Sequence, residues 1–71
     1  MADLVLTATV SRLTALARGL KAMFDNDPSR PENLSSDEDI IWFQFSRGAS
    51  LEEAVQAVLD FNASVRRREV W

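Results

Sequence analysis

Acid–base chemistry in this chain would have to fall to carboxylates, because its 71 residues include no histidine and no cysteine. That removes the commonest general base, the commonest thiol nucleophile and the usual zinc and iron ligands. Two carboxylate clusters remain, Asp37 to Asp39 and Glu52 with Glu53. Each follows a serine at a telling distance: Ser35 stands three before Glu38, and Ser50 three before Glu53. In a capping box of that spacing, the serine hydroxyl accepts from the backbone three residues on, and the carboxylate accepts from the serine N–H. Acidic side chains also suit the positive end of a helix dipole. Both clusters are thus explained as helix starts. No D-x-D-x-D-G calcium loop occurs, and so small a domain rarely encloses a deep, water-excluding pocket. No catalytic residue, metal ligand or cofactor is expected, and the chain reads as a non-enzyme.

The other chemistry on offer is contact. In DIIWFQFSRGAS, residues 39–50, five of the first seven side chains are large and apolar. On a helical wheel Ile41, Phe45 and Gly48 fall together with Trp42 beside them, while Ile40 and Phe43 point elsewhere. Tryptophan and arginine are over-represented among residues that dominate binding energies. Trp42 and Phe43, with Arg47 at the rim, are therefore the expected anchors for a partner protein. By propensity alone the stretch could form a strand. No second segment exists to pair with it, except its own copy across a two-fold ribbon, and an isolated strand leaves backbone groups unsatisfied. Cap signals on both sides, with Gly48 suited to a left-handed helix end, favour a helix.

The elements that must position these residues are helical. Leu6, Val10, Leu13, Ala17, Leu20 and Phe24 recur at alternating spacings of four and three. Leu6, Leu13, Leu16, Leu20 and Met23 form a second row beside them. The face is wider than one partner helix requires, so one row is expected to pack within the subunit and the other to meet a second copy. Leu6, Val10, Leu13, Leu16, Leu20 and Met23 are the expected dimer seam. The opposite face carries Ser11, Arg12, Thr14, Arg18 and Lys21, and Arg12, Arg18 and Lys21 are expected to steer an acidic partner. Gly19 inside this helix suits an exposed site rather than a close crossing.

Pro28 and Pro31 end the helix and delay the next. The connection is acidic, with Asp25, Asp27 and Glu32 against Arg30, and reads as solvated linker. From Leu51 onward Ala54, Val55, Val58, Asn62 and Val65 follow at helical intervals, with Ala57 and Phe61 adjoining them. Arg66 to Arg68 sit where cations favour a helix end.

The expected protein is a single all-α domain. A long helix spans about residues 4–25, a connection about 26–35, and two shorter helices about 36–47 and 51–67, joined at a glycine turn. With neither disulfide nor metal to staple so short a chain, self-association is the expected support. The opening residues lack the basic region of a signal peptide, and no apolar run would span a bilayer. A cytoplasmic, non-membrane protein is expected. The functional expectation is a homodimeric interaction module that regulates, by inhibition, a protein of unknown identity. The alternative is a small DNA-binding regulator, since residues 40–59 trace a helix-turn-helix outline. Glu52, Glu53 and Asp60 on its second helix, and a net charge of −3, oppose that reading.

Overall fold

The computed structural model describes the backbone of residues 2–69 and the side chains of residues 7–66. It contains three helices, α1 (Ala2–Asn26), α2 (Ser36–Ser46) and α3 (Leu51–Glu69), with no strand among the described residues. Residues 40–45 lie inside α2, so the strand alternative is excluded.

The helix starts follow from their caps. Ser35 N–H donates to Glu38 Oε1 at 2.9 Å while Glu38 N–H approaches Ser35 Oγ at 3.4 Å. Ser50 and Glu53 repeat the exchange at 2.8 and 3.1 Å. These bonds hold the Glu38 and Glu53 carboxyls below the usual glutamate range, the backbone N–H of each serine being the largest cause. One carboxylate of each cluster, Glu38 and Glu53, is thus engaged in starting a helix, while Asp37 and Asp39 pair with Arg12 and Arg30.

The end of α2 is equally specific. Gly48 N–H donates to the Phe45 carbonyl at 3.0 Å, and Ala49 N–H to the Gln44 carbonyl at 2.9 Å. That pair of bonds is the Schellman motif, which needs a left-handed residue just past the helix. Gly48 supplies it, with φ of 85°. Gly19, by contrast, is exposed, and a Cβ there would meet nothing within 4 Å. It marks no close crossing.

All three helices touch one another. Their shared core is Leu13, Ala17 and Leu20 from α1, Ile41, Trp42 and Phe45 from α2, and Ala54, Val55 and Val58 from α3. Leu16, Phe24, Leu34, Ile40, Leu51 and Leu59 pack around it, half-buried. The Phe24 ring meets Trp42 edge-on, centroids 5.4 Å apart, and lies 6.1 Å from Phe45. Aromatic pairs at such spacing add to the gain from burial alone.

The connection is tied down at both ends. Asp27 accepts from Ser29 N–H at 3.0 Å, a side-chain turn that lowers the Asp27 pKa. Arg30 donates through Nε and Nη2 to Asp39 Oδ1 at 3.0 and 2.9 Å. Leu34 then packs on the core.

Two expectations about α1 need correction. Leu13 and Leu20, expected in the dimer seam, are completely or almost completely buried within the subunit. The reason is that α2 and α3 both pack on α1, so two helices of the same chain cover most of the wide stripe. Of the described stripe residues, Met23 is the one left exposed, at 50%.

Candidate protein-interaction surface

The aromatic stretch divides between inside and outside as the helical period requires. Ile41, Trp42 and Phe45 face the core; Phe43, on the far side of the helix, is 60% exposed. Trp42 is only 2% exposed. Its ring cannot anchor a partner in this arrangement, and that expectation is corrected: residue type suggested a binding role, while residue position assigns Trp42 to packing. The indole Nε1 is buried without a hydrogen-bond partner, which lessens but does not cancel the gain from burying so large a ring.

Phe43 does not stand alone. It lines a shallow groove of about 370 Å³ between α2 and α3 with Asp39, Ile40, Gln44, Ala57 and Phe61. Phe61 is 52% exposed. The Arg47 guanidinium carbon lies 5.9 Å from the Phe43 ring centroid, within cation–π range. Two exposed phenylalanines from different helices, with Ile40 beside them and an arginine at the rim, form one aromatic surface. Phe61 carried a signal in the sequence. Three residues beyond Val58 and four beyond Ala57, it sits at the edge of the α3 stripe, next to whatever packs on that flank. The side that packs there is α2.

The basic residues of α1 are not gathered into one patch. Arg12 reaches toward α2, its Nη2 3.7 Å from Asp37 Oδ2. Arg18 lies on the α3 side, lining a separate groove with Val10, Thr14, Leu51, Val55 and Leu59. Lys21 donates to Asp25 at 2.8 Å, and its ammonium stands 5.6 and 5.5 Å from the Phe24 and Phe45 centroids. Arg12 and Lys21 therefore have partners in their own chain. Of the other expected seam residues, Val10 and Leu16 are half-buried and Met23 is 50% exposed. The side chain of Leu6 lies outside the described residues, as do those of Arg67 and Arg68.

Among the described residues no group of three histidine, cysteine or acidic side chains is placed to hold a metal ion. No described helix is long and apolar enough to cross a membrane.

Fold and surface together define a three-helix domain carrying a two-helix aromatic face. Comparison with family models, with curated proteins and with solved structures finds no match.

Proposed function

We propose that this chain is a small, non-catalytic helical interaction module, cytoplasmic and homodimeric, that inhibits a partner protein by covering part of its surface. The observation that carries the reading is the shared exposure of Phe43 and Phe61 on one groove. Large aromatic rings left in water forgo about 1.5–3 kcal/mol each of burial gain. Side chains of this kind, contiguous and rimmed by polar groups, mark protein contacts. The engagement of Glu38 and Glu53 in caps, and of Asp37 and Asp39 with arginines, supports a non-catalytic role.

The DNA-binding alternative gains no support from the turn between α2 and α3. Glu52 and Glu53 are exposed in the first turn of α3, where a recognition helix would approach phosphates. A gel shift at low salt against random duplex tests it, and no retardation at tens of micromolar protein is the expected result.

The test of the module is to capture binding proteins with the wild-type chain and with Phe43→Ser/Phe61→Ser. The expected result is a protein retained at stoichiometric levels by the wild type alone. Equal recovery by both would overturn the assignment of this face.

A further inference from the structure

The outer face of α2 has a charge order that makes it complementary to itself. Asp39, Phe43 and Arg47 are spaced by four residues each, which aligns them along one side of the helix. All three are exposed. The strip runs from acid, through the aromatic centre, to base, with Phe43 midway. At 1.5 Å per residue the backbone positions of Asp39 and Arg47 stand about 12 Å apart along the axis.

We propose that in the free protein the occupant of this face is a second copy of the chain, its α2 antiparallel to the first across a two-fold axis at Phe43, and that the partner protein binds by displacing it. This rests on the reading of the Phe43 face as an interaction surface. A two-fold contact pairs each residue with its symmetry-related opposite. The antiparallel arrangement stacks Phe43 on the second copy's Phe43 and sets each Arg47 against the other copy's Asp39. Phe61 of each subunit closes the flank.

Two details fit this occupant. Among the described residues Arg47 makes no ion pair within 4 Å; its guanidinium lies over Phe43, and its charge also helps to lower the Glu53 carboxyl pKa across the turn. The Asp39 carboxylate accepts both Arg30 bonds on Oδ1, so Oδ2 takes neither and can receive an arginine. A parallel pairing would bring Arg47 against Arg47 and Asp39 against Asp39, which like-charge repulsion opposes. A strongly acidic or strongly basic partner would match only one end of the strip. A second copy matches both.

The test is a charge exchange read by sedimentation equilibrium at low salt. Arg47→Glu alone places two glutamates opposite two aspartates. Asp39→Lys alone places two lysines opposite two arginines. Each is expected to weaken the dimer about tenfold. An equimolar mixture of the two single variants should form a heterodimer of near wild-type affinity. At one junction the introduced glutamate then faces the introduced lysine, and at the other the unaltered Asp39 faces the unaltered Arg47. Far-UV circular dichroism and thermal melts of each variant check that the monomer stays folded, since Asp39→Lys also removes the Arg30 pair.

Recovery in the mixture supports the proposal. A dimer dissolved by Phe43→Ser but indifferent to both charge reversals overturns the antiparallel register, and leaves the face itself as an interface. A wild-type chain that stays monomeric at hundreds of micromolar overturns the second copy as occupant. That outcome also removes the homodimeric part of the module reading, while its partner-binding part is still decided by the capture comparison with Phe43→Ser/Phe61→Ser.

Discussion

Trp42 and Phe43 are adjacent in sequence and belong to the same helix, yet they answer to different environments. The Trp42 ring is packed against Phe24 in the shared core, while the Phe43 ring stands in water beside Phe61 and under Arg47. One step along a helix rotates a side chain by about 100°, so Trp42 still falls within the inner arc that holds Ile41 and Phe45, while Phe43, one step further, falls beyond it. The inner side of α2 explains why the chain folds. The outer side has no such use within the subunit, and what it teaches is that apolar content and apolar burial are separate quantities in a domain this small.

The largest expected effect breaks the inner side. Trp42→Ala should cost about 3–5 kcal/mol, the usual range for deleting a buried aromatic ring. For a domain of this size that is most of its stability, so the variant should show no cooperative thermal transition. Trp42→Phe should be milder, because it keeps a ring against Phe24 and removes the buried indole N–H that has no acceptor. If Trp42→Ala melts like the wild type, the division of α2 into two sides is wrong. An experiment that mutates Trp42 and Phe43 together would confuse unfolding with loss of contact.

Next is the turn that sets α3 against α2 and so brings Phe61 beside Phe43. Gly48 has φ of 85° with open space around it. Gly48→Ala therefore meets no clash with a neighbour, only the intrinsic cost of a left-handed backbone for an L-residue, about 1–2 kcal/mol. Urea denaturation should show a lower midpoint with an unchanged slope. The reverse applies at Gly19, where helical backbone and free space favour alanine. Gly19→Ala should stabilise by roughly 0.5–1 kcal/mol.

Much of this was legible in the sequence because it depends on short-range spacing. The Ser35–Glu38 and Ser50–Glu53 boxes need only the right types three residues apart, and both form. Gly48 could be assigned because few residues tolerate its conformation. The helical wheel also separates the buried Ile41 and Phe45 from the exposed Phe43, whereas Ile40, which it sets apart, packs half-buried against the core. What misleads is weighting residue type above residue position: tryptophan is common at interfaces, yet the angle of Trp42 lies beside the inner stripe. The α1 stripe misleads for a different reason. Its width shows how much must be covered, but not whether the cover comes from two helices of one chain or from one helix and a second copy. Leu13 and Leu20 are covered from within, a fact of tertiary packing that no periodicity in α1 alone contains.

Acid should loosen the helix starts. Glu38 and Glu53 have folded pKa values below their unfolded ones, because each carboxylate accepts its serine's N–H. Their stabilisation is complete above the unfolded glutamate pKa, about 4.3, and is lost as pH falls through the folded value. Asp27, lowered by Ser29, acts in the same sense. The melting temperature should therefore be flat near neutrality and decline as pH drops below that range. Glu38→Gln/Glu53→Gln, which can still accept the serine N–H without titrating, should shallow the decline. An unchanged slope would mean that the caps do not hold in solution.

The smallest expected effect is the one that sharpens the comparison most. Phe43→Ser removes an aromatic ring one residue from Trp42, yet the ring is 60% exposed and its loss opens no cavity in the core. Monomer stability should fall by no more than about 1 kcal/mol, the upper end of an exposed cation–π pair. This is measured at protein concentrations low enough that association contributes nothing. Helix propensity hardly enters, since serine and phenylalanine are close on that scale. Losing the Arg47 contact should cost little, because a cation–π pair at an exposed site contributes about 0.5–1 kcal/mol and arginine remains well hydrated without it. If the variant is instead destabilised by several kcal/mol, Phe43 belongs to the fold and the outer face has no surplus. If it is silent in the monomer, the ring is free of any structural duty within the subunit, and the aromatic surface it forms with Phe61 is left to association alone.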